Sequence, residues 1–114
     1  MFPSEPHFDF SIEESREADG AVRLLLLGEL DLWVASVLQD RLSDLDAREE
    51  RVRIDLSRVG FIDCAGLSPV IEALSLSRAN GRRIALVPEL SPAAERLIGV
   101  LALAPWLWPA GEGG

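Results

Sequence analysis

The sequence predicts an α/β fold: a mixed four- to five-stranded sheet with three or four flanking helices, in one domain spanning residues 1–114. Three observations predict it. Some segments place apolar residues at every second position, as in Phe8, Phe10, Ile12 and again in Val52, Ile54, Leu56. Others place them at helical spacing, as in Val34, Leu38, Leu42, Leu45 and in Leu67, Val70, Ile71, Leu74. After an opening pair of strands the two kinds of segment alternate, which is the order of a sheet with helices packed on it and right-handed crossovers.

Taken in order, Phe8 to Glu13 reads as a half-buried strand. The polar loop Glu14 to Gly20 follows, closing on the turn signal Asp19-Gly20. Val22 to Leu27 is a short apolar run suited to a buried strand paired antiparallel with the first, and Gly28-Glu29-Leu30-Asp31 ends it. Trp33 to about Ala47 is an amphipathic helix with Gln39, Asp40, Ser43 and Asp44 on its polar face. The strand of Val52, Ile54 and Leu56 leads through a polar turn into a second helix that stops at Asn80-Gly81. Ile84 to Val87 is another strand. Ser91-Pro92 is an N-cap and first-turn pair for a helix reaching about Leu101, with Leu97, Val100 and Leu101 turned inward. The tail from Ala104 carries Trp106 and Trp108 at the spacing of a short strand, on one face. Residues 1–7 and 109–114 read as loose termini.

Composition narrows the function. Hydrophobic residues make up 48% and charged residues 26% of the chain, the balance of a folded domain. No apolar run approaches the roughly 20 residues of a membrane span, and Met1 to Phe10 lacks the layout of a signal peptide. With a single cysteine there is no internal disulfide, so a cytoplasmic protein is expected. A net charge of -8 excludes the basic footprint that nucleic acid requires and disfavours anionic membranes. All 11 basic residues are Arg, and Lys, Thr and Tyr are missing. This reads as codon usage, and it leaves serine as the sole hydroxyl that a kinase could modify.

The most informative stretch is Asp55-Leu56-Ser57, Val59, Phe61-Ile62-Asp63 and Gly66-Leu67, with Gly28-Glu29-Leu30-Asp31, Asn80-Gly81-Arg82 and Ser91-Pro92 around it. In this order and spacing they resemble the STAS domain family, of the anti-sigma-factor-antagonist type. The resemblance covers about Phe8 to Trp108. It implies a non-catalytic regulatory module without cofactor or metal. Its expected partner is a protein, an anti-sigma factor that is also a serine kinase. Such a kinase phosphorylates the Ser or Thr after the turn Asp, where added negative charge breaks the contact.

Here that acceptor position is Cys64. Three readings stay open: a small structural residue, a module without the switch and always competent to bind, or a redox-sensitive thiol. Ser68 and Ser57 are the alternative phospho-acceptors, with Ser68 also readable as a cap. Asp31, Asp63, Cys64, Gly66, Leu67, Ser68 and the outward Leu76 make up the expected partner-binding set. Pro69 conflicts with a helix beginning at Cys64, because it removes a backbone hydrogen bond past the first turn. An irregular start between Cys64 and Pro69 is therefore expected. An accessory subunit of a lipid or anion transport ATPase complex is the alternative to an anti-sigma-factor antagonist.

The remaining candidates are weaker. Trp106 and Trp108 suit core packing, or a homodimer contact as the alternative. His7 has no neighbour at metal-ligand spacing and reads as solvent-facing. Asp31, Asp55 and Asp63 read as caps and backbone acceptors rather than a carboxylate site, and no nucleophile–His pair or Gly-rich phosphate loop is present.

Overall fold

Alternation of side chains decides which face of the sheet becomes the core. In the computed structural model, which describes residues 9–81 and 83–109, strand β1 (Phe10–Arg16) pairs antiparallel with β2 (Val22–Leu30), from Phe10 opposite Gly28 to Arg16 opposite Val22. Strands β3 (Val52–Ile62) and β4 (Ile84–Leu90) then add in parallel, giving the order β1-β2-β3-β4. Helices α1 (Leu32–Ala47), α2 (Cys64–Ala79) and α3 (Pro92–Val100) follow β2, β3 and β4, and a short α4 (Ala104–Leu107) closes the described chain. Val22, Leu24 and Leu26 of β2 and Val52, Ile54 and Leu56 of β3 are buried in one cluster with Val34, Leu38, Leu42 and Leu45 of α1 and Leu67, Val70 and Leu74 of α2. The predicted mixed sheet and its flanking helices are therefore present, with four strands among the described residues.

The strands run further than their apolar alternation suggests. Between Leu25–Asp55 and Leu27–Arg58 the register shifts, and it shifts again between Gly28–Val59 and Glu29–Phe61. Each shift gives β3 one more residue than β2, which is the signature of a bulge. A bulge flips the inside–outside order, so Ser57 to Ile62 does not read as a strand even though it is one. Gly28 belongs to the same irregularity. It sits at φ +95°, and its amide neighbour Glu29 donates to the Asp9 carbonyl (2.8 Å), so β2 continues to Leu30 instead of ending at Gly28. Likewise β1 extends to Arg16, which shortens the expected loop. Pro88 is accommodated because β4 is an edge strand with a register shift at that point.

Three other expectations are corrected. Helix α2 runs unbroken from Cys64 to Ala79 with Pro69 inside it, and Leu67 N–H bonds the Asp63 carbonyl at 3.0 Å, the first regular helical bond. The start is thus regular, and Ser68 is not the cap. Proline costs the helix the bond that its missing N–H would have made, and the helix continues past it to Ala79. In α3, Ala94 and Ile98 are buried while Val100 is 76% exposed and Leu101 exposed. The helix ends in a Schellman turn, Leu103 N–H to Ile98 C=O at 3.0 Å with Ala102 at φ 55°, which carries the last turn away from the core. The tail is helical rather than extended. Trp106 and Trp108 both pack on the core, the Trp108 indole N–H donates to Leu86 C=O (3.0 Å), and the Arg78 guanidinium lies over the Trp106 ring at 4.0 Å. His7, Phe8, Arg82 and the terminal segments 1–7 and 110–114 lie outside the described residues.

The face of the sheet opposite the core carries charge. Arg23 and Arg53 are neighbours in the β2–β3 register, a like-charge pair that requires acids. Glu17 bonds both guanidiniums, Asp19 bonds Arg53 (2.6 Å), and Asp55 takes two bonds from Arg23 (3.1 and 2.8 Å). These partners hold Glu17 and Asp19 below the ordinary carboxylate range and raise Arg53. Burial pushes Asp55 up, but bonds from Ser57 and Arg23 more than offset it, leaving a lowered pKa.

Two predictions follow from this packing. A depressed carboxylate contributes stability above its unfolded pKa near 4 and loses it as pH falls toward the folded value. In urea titrations Arg53→Met is therefore expected to be less stable than wild type at neutral pH, with the two curves converging below about pH 4; parallel curves would refute the role of this network. The second prediction concerns Gly66. A Cβ on Gly66 would stand 2.0 Å from the Leu30 carbonyl oxygen, whereas one on Gly99 meets nothing within 4 Å. Gly66→Ala should destabilise by about 1–3 kcal/mol, and Gly99→Ala, within α3, should stabilise by up to about 1 kcal/mol; equal urea midpoints would contradict this.

Candidate functional site

Strands β2 and β3 end side by side, Leu30 opposite Ile62, and each passes through a single aspartate into a helix. Asp31 caps α1 by accepting from Trp33 N–H at 3.0 Å, and Asp63 caps α2 by accepting from Gly66 N–H at 2.8 Å. The Asp63 N–H in turn donates to Leu30 C=O at 3.3 Å. Two positive helix ends thus stand together beyond the carboxyl edge of the parallel strands, the position where α/β sheets commonly present their sites. Gly66 makes this spacing feasible, since α2 lies directly against the Leu30–Asp31 backbone.

Of the residues expected here, the structure brings Asp31, Asp63, Cys64 and Gly66 together. Cys64 is exposed, while Asp31 and Asp63 are half-buried with an oxygen each engaged in capping. Gly66 and Leu67 are buried, so they shape the surface from beneath and do not line it. Ser68 is exposed one turn along α2 from Cys64. Ser57 stands apart, half-buried back along β3, its N–H held by Asp55 at 2.8 Å. Leu76 is 61% exposed, but twelve residues of helix separate it from Cys64, about 18 Å along the axis. It therefore does not adjoin the turn as expected.

The apolar surface that does adjoin the turn was not anticipated from the sequence. Leu32 is 65% exposed, Trp33 70% and Phe61 47%. Leu32 and Trp33 follow the capping Asp31 directly, and Phe61 lies two residues before Asp63, opposite Glu29. The helical stripe Val34, Leu38, Leu42, Leu45 already leaves Leu32 and Trp33 off the core face, so that part was readable. The outward turn of Phe61 depends on the bulge at Gly60. Large exposed apolar side chains flanking two polar helix starts mark a candidate contact surface. Among the described residues no group of three or more His, Cys, Asp or Glu is placed to hold a metal, and no helix is long and apolar enough to cross a membrane.

Comparison with known proteins agrees with this geometry. The crystal structure of an anti-sigma factor antagonist from Mycobacterium paratuberculosis aligns with a TM-score of 0.71 at 22% identity, covering 94% of this chain and 88% of that one. The antisigma-factor antagonist STAS domain from Rhodobacter sphaeroides aligns at 26% identity and a TM-score of 0.53, over 74% and 94% of the two chains. Mglu aligns at 31% identity and 0.56 over 69% of this chain, which spans only 20% of the Mglu chain. No curated protein matches. The family model described as "Mlab, STAS domain" matches residues 14–107, and with the strand order, the paired aspartate caps and the Gly66 contact already described, the chain belongs to the STAS domain family.

Proposed function

We propose that this chain is a regulatory protein-binding module of the anti-sigma-factor-antagonist type, not an enzyme, that works in the cytoplasm and whose contact surface lacks the usual phosphorylation switch. The observation that carries the reading is the surface itself: exposed Leu32, Trp33 and Phe61 beside the two capped helix starts, with a thiol at the exposed acceptor position. Exposed aromatic residues next to a polar rim suit a protein partner. The expected partner is an anti-sigma factor with serine kinase activity.

The absence of a hydroxyl at position 64 has a direct consequence. A phosphoryl group would add about -1.5 to -2 charge next to Asp63 and close to Asp31, without having to refold the domain. With Cys64 there, a serine kinase has no acceptor at that atom, and the complex is not released in this way. Asp31, Asp63 and Cys64 then act as a fixed polar centre for the contact. Ser68 is the nearest exposed hydroxyl on the same helix, and Ser57 is the less accessible alternative.

A second reading, an accessory subunit of a lipid or anion transport ATPase complex, is favoured by the same missing switch, since a permanent subunit needs no release. A redox role for Cys64 has only the exposure of its thiol in its favour. Homodimerisation through Trp106 and Trp108 is disfavoured, because both rings are engaged within the fold.

Affinity capture with mass-spectrometric identification separates the two partner classes, a kinase-like anti-sigma factor or a transport ATPase. Trp33→Ala with Phe61→Ala is expected to weaken capture at least tenfold, on the order of 1.4 kcal/mol or more, with an unchanged urea midpoint; undiminished binding would remove this surface from the reading. With a captured kinase and ATP, Cys64→Ser should gain phosphate at position 64 while wild type gains none. Phosphate on Ser68 or Ser57 of the wild type would overturn the switchless reading.

A further inference from the structure

The helical layer holds a second surface, separate from the paired helix starts. Along the middle and C-terminal halves of α1 and α2 the two helices leave a groove with about 100 Å³ of free volume, open to solvent. Its apolar lining is Leu42, Pro69, Ala73, Leu76 and Ile84. Pro69 has no N–H to offer, and Leu76 stands at the outer lip, mostly exposed, where a core residue would be covered.

Charge is distributed unevenly around this groove. Among the described residues its lining includes Glu72 and Asp46 and no basic residue. Asp46 is met by Arg83 at 3.0 Å, which does not line the groove, whereas among the described residues Glu72 accepts from the neutral amide of Gln39 at 3.4 Å. Asp40 adds a further exposed acid on the outward side of α1. An anionic lip over an apolar floor repels nucleic acid and anionic membrane and attracts a cationic amphipathic segment. A helix presenting apolar residues one turn apart has the shape to lie in such a groove, with its flanking bases over Glu72.

We infer that the α1–α2 groove is a docking site for a basic amphipathic helix of a protein partner, anchored on Leu76 and Glu72 and independent of the Trp33–Phe61 surface. Occupancy of both would let one partner hold the module at two separated points, which raises avidity without strengthening either contact.

The test uses the intact chain and two synthetic helical peptides, both with leucines one turn apart, one flanked by lysines and the other by glutamates. Amide resonances of Ser43, Ala73 and Leu76 are expected to shift saturably with the lysine peptide and to stay in place with the glutamate peptide. Leu76→Arg and Glu72→Arg, both at exposed positions, should each weaken the lysine peptide about tenfold or more. Glu13→Arg on β1 makes the same charge change elsewhere and should leave the affinity unaltered. Equal weakening by Glu13→Arg, equal binding of both peptides, or shifts centred on Trp33 and Phe61 would overturn the proposal. Trp33→Ala with Phe61→Ala should not affect the peptide, so failure at the groove and failure at the helix starts are read separately.

Discussion

The approach of Gly66 to the backbone of Leu30 and Asp31 is the constraint on which the rest of the structure depends. A Cβ at position 66 would overlap the Leu30 carbonyl oxygen. Only with a hydrogen there can α2 begin next to the end of β2, and only then do the caps Asp31 and Asp63 share one surface. The Asp63 N–H bond to Leu30 C=O sets the same spacing from the other side. The exposed Leu32, Trp33 and Phe61 are displayed at this junction because the chain on either side of it is fixed. A surface made from strand ends and helix starts is held by the core beneath it, and it needs little ordering when a partner arrives.

Much of this was legible in the residues. Helices α1 and α2 follow from their spaced leucines and valines, and the motif from Asp55 to Leu67 locates the turn. The aspartates read as caps, and they are caps. What escaped the sequence has a common physical origin. A pattern of period two or 3.6 reveals an element only while the period holds, and β3 breaks it twice with bulges. Residues 57–62 therefore resemble a loop, and the outward turn of Phe61 was hidden with them. The inward face of α3 was misjudged because Val100 and Leu101 are apolar yet lie where the Schellman turn lifts the chain from the core. Trp106 and Trp108 have strand spacing, but Arg78 and the Leu86 carbonyl hold them in and after a helical turn. Tertiary contacts decided each of these cases, and none is written in the local sequence.

The aspartates illustrate why position alone does not assign a role. Asp31 and Asp63 stand at the centre of the proposed contact surface, yet each also accepts a helical N–H. Removing a cap costs about 0.5–2 kcal/mol of stability, so weak binding by an Asp63 variant reports folding and contact together. The side chains of the exposed apolar residues cap no helix. Leu32 is 65%, Trp33 70% and Phe61 47% exposed in the free protein, so a loss of affinity on truncation that comes with an unchanged urea midpoint reflects the partner. The same reasoning separates Leu67, buried and structural, from Leu76 on the same helix.

Replacing the acceptor hydroxyl by a thiol changes what such a surface can do without changing its shape. Serine and cysteine differ little in size, and α2 begins regularly with Cys64 as its first residue. The helix start still offers amide hydrogens and a positive dipole end to whatever faces it, while the covalent route to added charge is closed at that atom. Control of the contact then has to come from the partner's concentration, from a hydroxyl elsewhere, or from a second surface. With no Thr or Tyr in the chain, a hydroxyl elsewhere means serine. The proposed α1–α2 groove would be the second surface, and because its anchors Glu72 and Leu76 lie about two and three helical turns from Cys64, it can be strengthened or weakened without touching the turn.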